Sequence, residues 1–255
     1  VKLYAIATSA VRRAENGDAF AAAVREIIGA PLHVLSGDEE AEASYRGAIT
    51  ALGRLHGEDV GVADMGGGST EYAIGNGPHS ERTTSCEIGA VRLTEVMPAL
   101  AGHDGIVDLD TIERARAIAR KALSPLEDFR KIEKLALVGG TATTTAAIVR
   151  GKKTRIDRYE VTRSDLQRTL VHLCALDNKA RKAIVGMKPQ RADILPAGII
   201  ILETLLDIVG TESATATTAD LLLGYLLMQR DLTPVPGHSY PQPDEGRTRG
   251  PGSRT

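Results

Sequence analysis

The residues best placed to do chemistry lie in one stretch, Gly61-Val62-Ala63-Asp64-Met65-Gly66-Gly67-Gly68-Ser69-Thr70-Glu71. An apolar run ends on an acid, Asp64. Three glycines, two hydroxyls and a second acid, Glu71, follow it. Glycines at such a turn can take positive φ and let a ligand reach the backbone without a Cβ in the way. Successive amide N–H groups there form a concave nest that suits a phosphate. Gly66, Gly67, Gly68, Ser69 and Thr70 are thus candidate phosphate-binding residues. Asp64 and Glu71 are the candidate metal ligands, since Mg2+ favours carboxylates together with phosphate oxygens. A plain hairpin needs the glycines but neither the acids nor the hydroxyls. The stretch reads as a phosphate cradle.

Five further groups can serve it. Ser36-Gly37-Asp38-Glu39-Glu40-Ala41 opens a helical pattern, in which acids of the first turn complement the helix dipole. Leu135-Ala136-Leu137-Val138 runs into Gly139-Gly140-Thr141 and then a helix, which is either a tight turn or a second anion platform at a helix start. Arg92 either contacts phosphate or pairs with Glu95. Arg191 ends the most basic stretch, with Lys179, Arg181, Lys182 and Lys188, which is either a solvated face or the lining that a polyanion needs. Arg12 and Arg13 pose the same choice near the beginning of the chain.

Several segments also carry a resemblance. Asp-x-Gly-Gly-Gly-Ser-Thr-Glu at 64–71 is similar to the second phosphate loop of the exopolyphosphatase/guanosine pentaphosphate phosphohydrolase (Ppx/GppA) family, part of the actin-like superfamily. Ala-Thr-Ser-Ala-Val-Arg-Arg-Ala-Glu-Asn at 7–16, Ser-Gly-x-Glu-Glu-Ala at 36–41, Gly-Ala-Val-Arg-Leu-Thr-Glu at 89–95 and Arg-Ala-Asp-x-x-x-Ala-Gly at 191–198 resemble that family in its order. The resemblance implies an α/β protein of the ribonuclease-H-like duplicated (actin-like) fold, with two domains and a cleft between them. It implies hydrolysis of the terminal phosphoryl group of inorganic polyphosphate or of guanosine pentaphosphate, with Mg2+. Glu40 takes the place of the family's catalytic carboxylate, and a carboxylate facing the bound phosphate can orient and deprotonate water. The family opens on an Asp-x-Gly-Ser-Asn-Ser-type loop that has no counterpart here. The first domain is therefore expected to be incomplete, with 1–38 its remainder. Residues 39–232 form the second domain, whose final helix packs back on the first, and 233–255 form a disordered tail. Such a chain is expected to be weakly active or inactive, and an exposed sheet edge would invite self-pairing as a homodimer. The alternative is a non-catalytic polyphosphate- or nucleotide-binding remnant.

The elements that must position these groups follow from periodicity. Val1–Ala7 and Leu32–Leu35 read as strands, and Thr8 or Ser9 opens a first helix. Asn16-Gly17-Asp18 caps a second helix, from Ala19 to Ile28. The helix from Ser36 or Asp38 runs to about Leu55. Val60–Ala63 and Tyr72–Ile74 form a strand and its return, with a turn at Gly75-Asn76-Gly77-Pro78. Helical patterns span Leu109–Phe129, Thr143–Val149, Thr162 or Ser164 to Leu176, Asn178–Gly186, Ile199–Val209 and Ala216–Leu232. The 255 residues carry a net charge of −2 with 3% aromatics. That balance offers neither the basic field nor the stacking rings of a nucleic-acid binder. Cys86 and Cys174 make no framework and, like the six histidines, no zinc spacing. No apolar run is long enough to span a membrane and no signal peptide opens the chain. A cytoplasmic location is expected.

Overall fold

The computed structural model describes residues 2–53, 59–151, 156 and 158–232. Two sheets organise it. A parallel pair joins β1 (Ala5–Ala7) to β2 (Leu32–Val34) through α1 (Ser9–Arg13) and α2 (Gly17–Ile28). The larger sheet has the order β5-β4-β3-β6-β8-β7. Its β3 (Val60–Met65), β4 (Thr70–Gly75) and β5 (Arg82–Cys86) form an antiparallel meander, as the two glycine turns demand. Then β6 (Lys134–Val138) runs parallel to β3 and to β8 (Ser213–Ala216), which is flanked by antiparallel β7 (Tyr159–Thr162).

The alternation of β3 sorts the two faces. Val60 and Val62 meet Ala73, Ala136 and Val138 under α3 (Gly37–Leu52), which contributes Ala41, Tyr45 and Ala48. Ala63 and Met65 point the other way, into a core with α5 (Leu109–Ala122), α7 (Arg163–Cys174) and α9 (Leu195–Val209). Helix α10 (Leu221–Leu232) packs along α3, and its Tyr225 sits with Leu35 and Ile6. Among the described residues no helix is long and apolar enough to cross a membrane.

Local signals place most boundaries. Ser36 accepts from the Glu39 N–H while Glu39 accepts from the Ser36 N–H, a capping box that starts α3. Thr162 and Asp165 do the same for α7. Several expectations shift. The second helix begins at Gly17. Neither Thr8 nor Asn16, although each stands at an N-cap, makes a side-chain capping bond. The 109–129 pattern stops at Ala122, because Pro125 cannot continue the helix and a 3-10 turn, Ser124–Asp128, takes over. Helix α8 keeps only Asn178–Arg181 of the expected 178–186. The 216–232 pattern begins one strand earlier, as β8, and becomes helical only at Leu221. Val1, the expected helix end at Leu55 and the expected tail, 233–255, lie outside the described residues.

One basic residue reverses its expected role. Arg181 is fully buried and donates to the carbonyls of Leu100, Ala101, Leu173, Leu176 and Ala192. It ties three loops together, so it lines no surface for a polyanion.

Candidate active site

The register of the β3–β4 hairpin sets Asp64 directly opposite Glu71. Residues opposed in an antiparallel pair project on the same face, here the face that α3 covers. Helix α3 brings Glu40 in its first turn and Ser44 four residues on, the helical spacing that aligns side chains. Ser44 Oγ donates to Asp64 Oδ2 at 2.5 Å. Glu71 accepts from Ser85 Oγ at 2.7 Å, across the next register pair, and also from Ser69. Glu40, 5% exposed, is held by an ion pair to Arg12, whose guanidinium also reaches the Leu35 carbonyl, and by the Ser9 N–H.

The three carboxylates feel one another. Burial raises the pKa of Glu40 in spite of Arg12, and the charge of Asp64 raises it further. Burial also raises Asp64, with Ser44 opposing and Asp220 adding a like charge. Glu71 is pushed up to about 7 by burial first and then by Glu40, with Asp64 contributing. Such clustering of shifted acids marks sites where charge is to be met.

The glycine turn lies at the end of this pair. Gly66 N–H donates to the Ser69 carbonyl at 3.0 Å, while the Gly66 and Gly67 carbonyls accept from the first amides of α4 (Ala90–Val96). None of these glycines adopts positive φ. Their absent side chains serve close approach instead. A Cβ on Gly67 would lie 3.1 Å from the Val91 side chain, and one on Gly68 3.2 Å from Ser9 Oγ. Among the described residues the Gly67 and Gly68 amides donate to no backbone carbonyl of the loops and turns. Thr70 is different: its hydroxyl, fully buried, donates to the Ile88 carbonyl at 2.6 Å and holds the turn. Gly89, ahead of α4, matters as much as the triplet, because a Cβ there would sit 2.5 Å from the Gly67 carbonyl. Gly89→Ala is expected to displace the cradle and weaken phosphate binding there at least tenfold, as backbone cannot yield cheaply to that overlap. A titration of the two proteins checks it.

The second glycine motif, which opens α6 (Gly140–Arg150), abuts the first. Gly139 takes φ +98°, and a Cβ on it would stand 2.6 Å from the Met65 carbonyl and 3.1 Å from Asp64 Oδ1. The Arg191 guanidinium lies over Gly140 so closely that a Cβ would fall 1.9 Å from its central carbon. Thr141 is buried against Gly198 and faces the helix packing. Arg92 pairs with Glu87 at 2.9 Å rather than with Glu95. The fold thus brings Glu40, Asp64, Glu71, the two glycine turns, Arg92 and Arg191 into one neighbourhood. Of the two early arginines, Arg12 is the one that meets Glu40, while Ser44, Ser85, Gly89 and Asp220 join the neighbourhood without having been singled out for it. The i+4 spacing from Glu40 could have flagged Ser44.

Known proteins resemble this chain over most of its length. A model of the Ppx/GppA phosphatase family matches residues 1–224. The chain belongs to that family. Exopolyphosphatase 2 of Mycobacterium tuberculosis is 34% identical over 241 residues, covering 87% of this chain and 73% of that protein. A bifunctional 3-dehydroquinate synthase/phosphatase of Fusobacterium nucleatum is 32% identical over 225 residues. The match covers 87% of this chain but only 34% of that relative. An exopolyphosphatase from Cytophaga hutchinsonii superposes with a TM-score of 0.80 at 27% identity, covering 92% of this chain and 76% of the other. The Aquifex aeolicus Ppx/GppA member gives 0.77 at 25%, with 92% and 75% covered. The expected actin-like α/β fold is the one observed.

Proposed function

We propose that this chain hydrolyses the terminal phosphoanhydride bond of inorganic polyphosphate, with guanosine pentaphosphate as a second substrate of the same bond type. One observation carries the reading: a buried carboxylate, Glu40, is held by Arg12 beside a glycine cradle whose rim bears two more acids. The Gly67 and Gly68 amides receive the terminal phosphoryl oxygens. Glu40 orients a water and accepts its proton as the water oxygen bonds to phosphorus and the bridging P–O bond breaks. A carboxylate whose pKa is lifted towards the working pH is a better base than an ordinary one. Phosphoryl transfer asks for little beyond such positioning and charge neutralisation.

Asp64 and Glu71 suit Mg2+ by their chemistry. They are hard oxygen donors on one face, and their ionisation is opposed first by burial and, at Glu71, by the charges of Glu40 and Asp64, which a cation would relieve. Among the described residues no three His, Cys, Asp or Glu side chains form a cage. That accords with an ion which takes one or two carboxylates and completes its shell with phosphate oxygens and water. When bound, it would neutralise charge on the phosphoryl group. The test is phosphate release from polyphosphate with Mg2+ by this chain. Steady release, at a rate typical of enzymes of about 1 per second or more, supports the reading. Its absence for folded protein at every chain length overturns it.

A further inference from the structure

Beside the cradle lies a cavity of about 380 Å³ whose walls include Ser9, Arg13, Gly67, Gly68, Arg92 and one acid, Glu95. Arg13 comes from α1 and Arg92 from α4, so the two guanidiniums reach this space from separate elements. Both converge on a single atom. Arg92 Nη1 lies 2.9 Å from Glu87 Oε2, and Arg13 pairs with the same oxygen. One carboxylate therefore faces two guanidiniums, leaving the trio with a net positive charge. The group is open to water, with Glu87 56% and Arg13 46% exposed at the side chain. Ion pairs this exposed are worth little. A phosphate oxyanion, by contrast, matches the guanidinium fork and can accept two hydrogen bonds from it. Arg92 also borders the cradle itself, since a Cβ on Gly68 would lie 3.9 Å from its Nη2.

We propose that Arg13 and Arg92 form a second phosphoryl subsite, and that Glu87 is an internal anion occupying it until a phosphate chain displaces it. The proposal rests on the polyphosphate reading above and deepens it: Glu87 is a specificity-determining residue. A lone phosphate that fills the cradle leaves the Glu87 trio intact. A chain whose next phosphoryl group extends past Gly68 takes both guanidiniums from Glu87. The site thereby favours phosphoanhydride chains over monophosphates. Glu87 sets the threshold, because its charge must be outcompeted.

The experiment measures binding without turnover, in Glu40→Gln protein at low salt, with orthophosphate and tripolyphosphate as probes. Adding Glu87→Gln is expected to tighten tripolyphosphate about fivefold, the scale of one exposed ion pair, and to leave orthophosphate unchanged. Adding Arg13→Gln to that protein should remove the gain. Tripolyphosphate binding that Glu87→Gln leaves unaltered or weakens overturns the subsite alone. Equal tightening of both probes overturns it too, because the arginines would then serve the cradle phosphate. Failure of every variant to bind tripolyphosphate brings down the polyphosphate reading, and the subsite with it.

Discussion

Glu40→Gln is expected to lower phosphate release from polyphosphate by about a thousandfold, within the range that a positioned general base supplies. The substitution keeps the side chain's length and its carbonyl acceptor for Arg12. It removes the negative charge and the carboxylate oxygen that can take a proton at neutral pH, putting an NH2 donor in its place. The fold should tolerate it. Glu40 is buried with a raised pKa in the field of Asp64, so a neutral amide relieves repulsion even as it loses the ion pair. Polyphosphate binding should persist, because the cradle amides belong to the 66–68 turn and not to α3. Single-turnover phosphate release and direct binding, measured side by side, separate these effects. A variant that turns over within tenfold of the parent would remove Glu40 from the chemistry. If the parent binds polyphosphate but neither protein turns over, the chain is a binding module.

Glu71→Gln should do something less usual, stabilising the protein while impairing it. The Glu71 pKa rises from an ordinary 4.5 to about 7 in the folded chain, so the native state holds this proton more tightly than the unfolded chain. Between these values the folded protein binds more protons than the unfolded one, and stability must fall as pH rises. The fall begins near pH 4.5, is complete just above pH 7, and amounts to about 3 kcal/mol at 1.36 kcal/mol per unit. A neutral amide escapes it. Glu71→Gln should therefore melt at a pH 5 midpoint close to the parent's and at a clearly higher one at pH 8, by roughly 2–4 °C per kcal/mol for a chain of this size. Asp64 and Glu40 titrate in both proteins, so the difference between the two curves reports Glu71 together with its coupling to those two acids. The same proton links to the cation: Mg2+ affinity of the parent should strengthen as pH rises through about 7 and be largely lost in the variant. Destabilisation at pH 8, or an advantage confined to acid, would refute the assignment of Glu71 as a strained carboxylate. Stability given up for a charged site is a common trade in enzymes.

How far the chain could be read without its structure depends on the range of each interaction. The hairpin around Gly66–Gly68, the Ser36–Glu39 capping box and the strand–Gly-Gly–helix passage at 138–141 rest on residues within four positions of one another. Their local chemistry made them legible. The ordered motifs carried the family, and with it the fold and the short list of acids. Elements with little periodicity were missed: β7 and β8 are four residues each, too short to show alternation. Other decisions came only from packing. The 66–68 glycines answer to neighbours, Val91 and Ser9, and not to φ. Arg92 has Glu95 nearby in sequence, yet it pairs with Glu87, which Arg13 reaches from 74 residues away. Arg12 meets Glu40 across 28 residues, and Arg181, one cation in a basic run, is drawn inside by five carbonyls. Residue types and local spacing determined which groups could act on a phosphate. Only the tertiary structure decided which of them share a charge, because a side chain's partner is set by what the fold packs against it and not by its place in the chain.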